Sequence, residues 1–352
     1  MPSAVPIIMR RIYFIPAILL ALAIGYSLLW LYGAHRLENG FADWARVQAA
    51  HGTTVEHGAL AVSGFPGVIR LAITAPRLTS TNTGWEWSAE RADLETRAWN
   101  WQAYRVEAFG TQQLGVPFDG AVERLTVRSA ASFLIAKVDS HGRVSQVGLQ
   151  ADGLRLSDAT GTEILSAATL RGTTRASAAK AIAHDQTSLD LTLQATGVVL
   201  GPPMATPLGQ KVDQIGLAAT VKGALPGSLT RTAVDAWRRD GGTVELAHFT
   251  VNWGALDLRA NGTMALDERL RPLGAVSAEI RGYGETLGAL EQARMLPHKT
   301  AEGSRFALDL LSRRDEPDGR KVVTVPLSAQ GGSLYLGPIR IVRLEAIPFP
   351  AR

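Results

Sequence analysis

From Ile12 to Ala34 the chain carries no Asp, Glu, Lys, Arg or His. A helix needs about 20 apolar residues, at about 1.5 Å each, to cross the hydrocarbon core of a bilayer. This stretch meets that length, whereas a signal-peptide core usually holds about 7–15 residues. The exit reads Leu29-Trp30-Leu31-Tyr32-Gly33-Ala34-His35, with bulky rings where a cleavage site needs small residues. Residues 12–34 are therefore expected to form an uncleaved transmembrane anchor, with Pro16 tolerated in its first turns. Tyr13, Trp30 and Tyr32 stand near its ends, where an aromatic belt belongs. A buried core helix is the competing reading, but such a helix rarely runs this long without a polar face.

Arg10 and Arg11 precede the span, and residues 1–11 contain no acidic group. The positive-inside rule assigns 1–11 to the cytoplasm and the remaining chain to the periplasmic side of a bacterial inner membrane.

The whole chain, 352 residues with 46% hydrophobic and 19% charged side chains, is enough for a sizeable core and too apolar for disorder. The 35 glycines suit many strands joined by tight turns. Net charge is only +4, and Lys and Arg are scattered, as in Arg238-Arg239 and Arg313-Arg314. No basic stripe for nucleic acid results. The absence of cysteine excludes disulfides, thiolate metal sites and cysteine nucleophiles.

Leu37, Phe41, Trp44 and Gln48 follow helical spacing. They predict a short amphipathic helix over 35–52, which lies on the membrane surface or caps the first sheet. From Thr53 the period becomes two. Examples are Leu60/Val62, Leu71/Ile73, Leu189/Leu191/Leu193, Ile215/Leu217/Ala219/Val221 and Val323/Val325/Leu327. Phe306, Leu308 and Leu310 read as another strand. The fold class is mainly β: a transmembrane helix, then a large, curved antiparallel β-rich domain, as a groove or two lobes, with two or three short helices. The stretch Gly201–Pro207 divides a first β-rich lobe, 53–200, from a second, 201–352. Ser228 is placed to cap one short helix through Trp237, and another runs from about Glu285 to Leu296. Asp315–Gly319 and Asp267–Pro272 carry turn chemistry. A glycine followed by alternating apolar residues recurs at Gly58, Gly254, Gly262 and Gly332, each read as opening a strand.

The search for chemistry finds little. His35, His51, His57, His141, His184, His248 and His298 form no His-x-x-x-His pair. His51, Glu56 and His57 are a chance cluster near a turn. Ser177-Ala178-Ala179-Lys180 fits the Ser-x-x-Lys pattern, but Ser-Asp-Asn is missing and Lys299-Thr300-Ala301 lacks the glycine of Lys-Thr-Gly. The expectation is no enzyme and no catalytic, cofactor-binding or metal-binding residue. Trp85/Trp87 and Trp99/Trp101 are two Trp-x-Trp pairs, each expected on one strand face. They cover a core or line a lipid- or sugar-binding face.

Three segments carry a resemblance: Ser63-Gly64-Phe65-Pro66; Gly262–Asp267 with Arg271-Pro272-Leu273-Gly274 and Ile280-Arg281-Gly282; and Leu327–Pro338. Together they resemble a proteobacterial membrane-anchored envelope family, the domain of unknown function 2125. That family is distantly similar to AsmA-type envelope proteins. The resemblance implies an anchored β-rich groove associated with phospholipid movement between membranes, and no catalytic residue. The expected function is binding or guiding lipid along an apolar sheet face. The alternative is a non-enzymatic scaffold or assembly factor. The expected partners are the inner-membrane bilayer and a phospholipid or another envelope protein.

Overall fold

A computed structural model describes residues 7–118, 121–140, 142–179, 181–204, 206–225, 230–314, 321–336 and 339–347. Helix α1 (Ile7–Ala50) runs without a break through both the expected anchor and the segment expected as a separate short helix. Nothing in 35–50 interrupts it, since Gly40 is the only weak helix former and no proline follows Pro16. Trp30, Ala34, Leu37 and Phe41 recur every three or four residues and form one buried stripe. The stripe packs on Ile69, Leu71 and Ile73, so the second half of α1 caps the first strands. Trp30, expected in a lipid-facing belt, is buried in this contact, whereas Tyr32 points outward. Gly33 permits the close approach: a Cβ there would lie 2.6 Å from Ile69 Cδ1 and 2.9 Å from Trp101 Cζ2. Ile18, Leu19, Leu20, Leu22, Ile24, Leu28, Leu29 and Leu31 are exposed on the first half.

Beyond α1 the described residues build one antiparallel sheet of 19 strand segments. The first segments are β1 (Thr53–Glu56), β2 (Leu60–Ser63), β3 (Val68–Thr74) and β4 (Arg77–Ser80). They form a single long hairpin: Thr53 faces Ser80, Glu56 faces Arg77, and Leu60 faces Ile73 in continuous register. Pro76, which lacks an N–H, and Ala75, at φ 45°, interrupt its second arm. β5 (Glu86–Arg97) pairs with both β3 and β4. β6 (Asn100–Phe118) pairs with β5, then with β7 (Ala121–Arg128) and β8 (Ala131–Val138), successive segments that both pair onward with β9 (Val144–Ser157).

From β9 each strand pairs with the next: β10 (Glu163–Ala176), β11 (Thr187–Leu200), β12 (Lys211–Lys222), β13 (Thr243–Trp253), β14 (Leu256–Leu266) and β15 (Pro272–Arg281). After a helical excursion, β16 (Arg313–Arg314) and β15 both pair with β17 (Lys321–Gln330). β18 (Ser333–Leu336) and β19 (Ile339–Arg343) follow. Gly201–Pro207, expected to divide two lobes, lies in the β11–β12 connection. Those strands pair from Thr187–Lys222 to Val199–Lys211, so the ladder passes across that point.

α2 (Arg231–Arg239) sits between β12 and β13. Thr230 caps it, its Oγ1 accepting from Ala233 N at 3.4 Å; the expected cap, Ser228, lies outside the described residues. α3 (Tyr283–Gln292) and α4 (His298–Leu311) lie between β15 and β16. Phe306, Leu308 and Leu310 thus belong to a helix, not the expected strand. Ala301 and Leu308, seven residues apart, are its buried positions, a spacing of two helical turns. The turn at Asp267 is as expected, with Asp267 Oδ1 accepting from Arg269 N at 2.8 Å and Arg271 N at 2.9 Å. The turn at 315–319 lies outside the described residues. Gly262 does not open a strand but sits inside β14 at φ 155°, where a Cβ would be 2.4 Å from Ala275 O.

Candidate functional site

In an antiparallel ladder, directly opposed residues point to the same face. Following opposed pairs from β2 to β9 gives Val62, Leu71, Leu94, Val106, Leu134 and Leu149. From β10 to β17 the row continues through Gly172, Leu193, Leu217, Phe249, Ala260, Ala278 and Val325. Every position is apolar or glycine. A second row flanks it two residues away along each strand, through Ala151, Leu170, Ala195, Ile215, Val251, Leu258, Ile280 and Val323. One face of the sheet is thus a continuous apolar strip.

Its two ends are covered. At the first end α1 buries Leu71 completely. At the last, Tyr283 and Leu287 of α3 and Leu308 of α4 pack on Ala260, Ala278, Val323 and Val325. Tyr283 Oη donates to Asp309 Oδ1 at 2.7 Å and Lys321 Nζ to the same oxygen at 2.9 Å, tying both helices to β17. Lys321 and Tyr283 hold the Asp309 carboxyl below the usual range. Between these covers, Leu134, Leu149 and Leu193 are 39%, 36% and 36% exposed, although they stand on the core-facing side of the ladder. From β8 to β12 this more exposed part of the first row spans roughly 19 Å at about 4.8 Å per strand, while beside it Ala151 and Ala195 of the second row are buried.

The opposite face is mainly polar, although Ile135 and Phe133 of β8 stand across from Arg105 and Glu107. Arg70 Nε donates to Glu95 Oε1 at 2.5 Å, and Arg91 Nη2 to Asp93 Oδ2 at 2.6 Å. Arg105 Nη2 donates to Glu107 Oε2 at 3.1 Å. Further along stand Gln150, Arg171, Gln194, Gly216, Thr250 and Arg259, opposed in turn.

Among the described residues, the candidates singled out for chemistry are not brought together into a reactive centre. His51 Nδ1 meets Val47 O, and His57 Nδ1 meets Gly58 O, both at 2.8 Å. The His57 ring lies 5.4 Å from that of Phe41, and Glu56 faces Arg77 across the ladder. Among the described residues no three His, Asp or Glu side chains are grouped to hold a metal. Ser177 follows β10, and Lys180 lies outside the described residues. The tryptophan pairs differ. Trp87 Nε1 donates to Gln112 Oε1 at 3.1 Å on the sheet, and Trp101 packs against α1. Trp99 instead occupies the β5–β6 turn and is 64% exposed, so that pair does not share a strand face. The strip itself was invisible in the sequence, because the alternation shows which residues share a face within a strand but not which residues oppose each other.

The chain matches the family model described as an uncharacterized protein conserved in bacteria, DUF2125, over residues 30–345. It belongs to this family. The match opens at Trp30, the first residue of α1 buried against the sheet, and takes in the whole strip. No curated protein matches the chain. No solved structure matches it either.

Proposed function

We propose that this DUF2125 protein is a single-pass inner-membrane protein, with its N-terminus cytoplasmic and its sheet periplasmic, that binds or guides lipid acyl chains on the uncovered strip. The observation that carries this reading is the unbroken apolar row through Leu134, Leu149 and Leu193, left open between two covered ends. Exposed leucines on a core-facing row cost free energy in water, and a hydrocarbon chain would recover about 0.8 kcal/mol per buried methylene. The row carries no charge, hydroxyl or amide group, which suits an acyl chain rather than a sugar. Helix α1 supplies a span of mean hydropathy 1.9 within Pro16–Ala50. The strip lies on the same sheet face that the second half of this helix covers. No step of bond-making chemistry is part of the proposal.

The test is lipid analysis of the full chain purified from membranes, beside a Leu149→Glu/Leu193→Glu variant. Acyl lipid retained by the native chain and reduced several-fold in the variant is the expected result. Equal lipid in both preparations removes the strip from the account. A scaffold reading is favoured by a different observation. Phe306, Leu310 and Leu311 of α4 are 74%, 78% and 63% exposed, an apolar helix face open to a protein partner.

A further inference from the structure

The β2–β3 turn lies against α1. Residues 60–69, Leu-Ala-Val-Ser-Gly-Phe-Pro-Gly-Val-Ile, contain no charged side chain. At its tip Phe65 is 54% exposed. Its ring lies 6.3 Å from that of Tyr26 and 5.5 Å from that of Trp30, both on α1. The tip therefore packs beside the apolar half of the helix.

The depth of that contact follows from helix geometry. Arg11 is the last charge before the apolar stretch. Twenty residues counted from Ile12, about 30 Å at 1.5 Å each, end at Leu31. Tyr26 lies five residues before that limit, about 7 Å inside it. A turn touching Tyr26 is thus level with the outer part of the hydrocarbon core.

Two carbonyls of the turn are met by donors from α1. Unpaired carbonyls are costly in lipid, where no water can serve them. Tyr26 Oη donates to the Pro66 carbonyl, and Trp30 Nε1 donates to the Val68 carbonyl at 3.3 Å. Pro66 brings no N–H that would need an acceptor. In water these carbonyls would need no help from the helix. One strand pair further, Arg97 faces Val68, so the β5–β6 turn with its exposed Trp99 lies at this same end of the sheet. An exposed tryptophan there suits the bilayer interface.

We infer that the β2–β3 turn is inserted, Phe65 first, into the leaflet from which α1 emerges, so that the sheet stands in the membrane surface rather than hanging from it. The inference rests on α1 being a membrane span. The natural absence of cysteine permits single-cysteine chains made by Phe65→Cys, Ile18→Cys or Ala159→Cys. Ile18 lies within the apolar stretch of α1, and Ala159 lies in the exposed β9–β10 turn at the far end of the strands. Each full-length chain, carrying a nitroxide on its cysteine, is placed in vesicles of phosphatidylethanolamine and phosphatidylglycerol. Collision rates with oxygen and with a polar nickel chelate are then measured. The expected oxygen-to-nickel ratio at position 65 is several-fold above that at 159 and approaches that at 18. A ratio at 65 equal to that at 159, with 18 in lipid, overturns the insertion and leaves the anchor standing. A ratio at 18 equal to that at 159 overturns the anchor itself, and the insertion with it.

Discussion

Gly33 sits where the helix comes nearest the sheet, and any side chain there must displace Ile69 or Trp101. Ile69 is fully buried and has nowhere to move. Gly33→Leu is therefore expected to destabilise the helix–sheet contact by about 1–3 kcal/mol, the usual cost of overpacking. Gly40, on the same helix, has no atom within 4 Å of an added Cβ. Gly40→Leu should leave the thermal midpoint unchanged or raise it, by up to about 1 kcal/mol from helix propensity. Thermal unfolding of the full chain in detergent, followed by circular dichroism, separates the two; equal midpoints for both variants would contradict the close approach. Neither role is legible in the sequence, because two glycines in one apolar-to-amphipathic helix look alike until the partner surface is known. Trp30 shows the same limit: its place near the end of an apolar span suggests the lipid interface, yet Ile69, Leu71 and Ile73 capture it.

Helix α4 shows what periodicity alone resolves at the scale of an element. Five residues of alternation, Phe306 to Leu310, fit a strand as well as a helix. The deciding contacts are made by Ala301 and Leu308, on a period visible only over the longer segment. At the start of α4, His298 Nδ1 bonds the Glu291 carboxylate on α3, and its Nε2 lies 3.3 Å from Glu302 Oε1. Arg305 Nη2 also reaches Glu291, at 3.1 Å. The hydrogen bond to Glu291, with the charges of Glu302 and Glu291, raises the His298 pKa above its ordinary value, while Arg305 opposes the shift. A raised histidine pKa gives stability that is fully present below about 6.5, the unfolded value, and is lost as pH climbs through the folded value. Glu291 is shifted down, chiefly by its hydrogen bond to His298, so its own contribution fades only under acid conditions. Between pH 6 and pH 9 the thermal midpoint of the native chain should therefore fall relative to that of His298→Gln. A constant difference between the two across that window would show that the clasp does not titrate.

For the whole molecule, the sequence revealed the mainly β class, the antiparallel alternation and the apolar helix, because each is a property of residues close along the chain. The apolar strip and its partial cover depend on register, which breaks at Ala89–Arg91, Leu246–Phe249 and similar irregularities. Each break moves the apolar positions from one parity to the other, so counting along a strand loses the row. The strip makes a demand that no single residue makes: one substitution should act differently according to what lies over it. Val325 and Leu193 belong to the same row, but Val325 is 5% exposed under α3 and α4, and Leu193 is 36% exposed. Val325→Glu buries an unpaired carboxylate and should cost several kcal/mol, enough to unfold the C-terminal part of the sheet. Leu193→Glu leaves its carboxylate in contact with water and should cost about 1 kcal/mol or less. If the uncovered stretch holds acyl chains, Leu193→Glu lowers bound lipid while the denaturation midpoint scarcely moves. Loss of stability as large at Leu193 as at Val325 would mean that the middle of the strip is closed by packing, and an open lipid-binding face would then have to be abandoned.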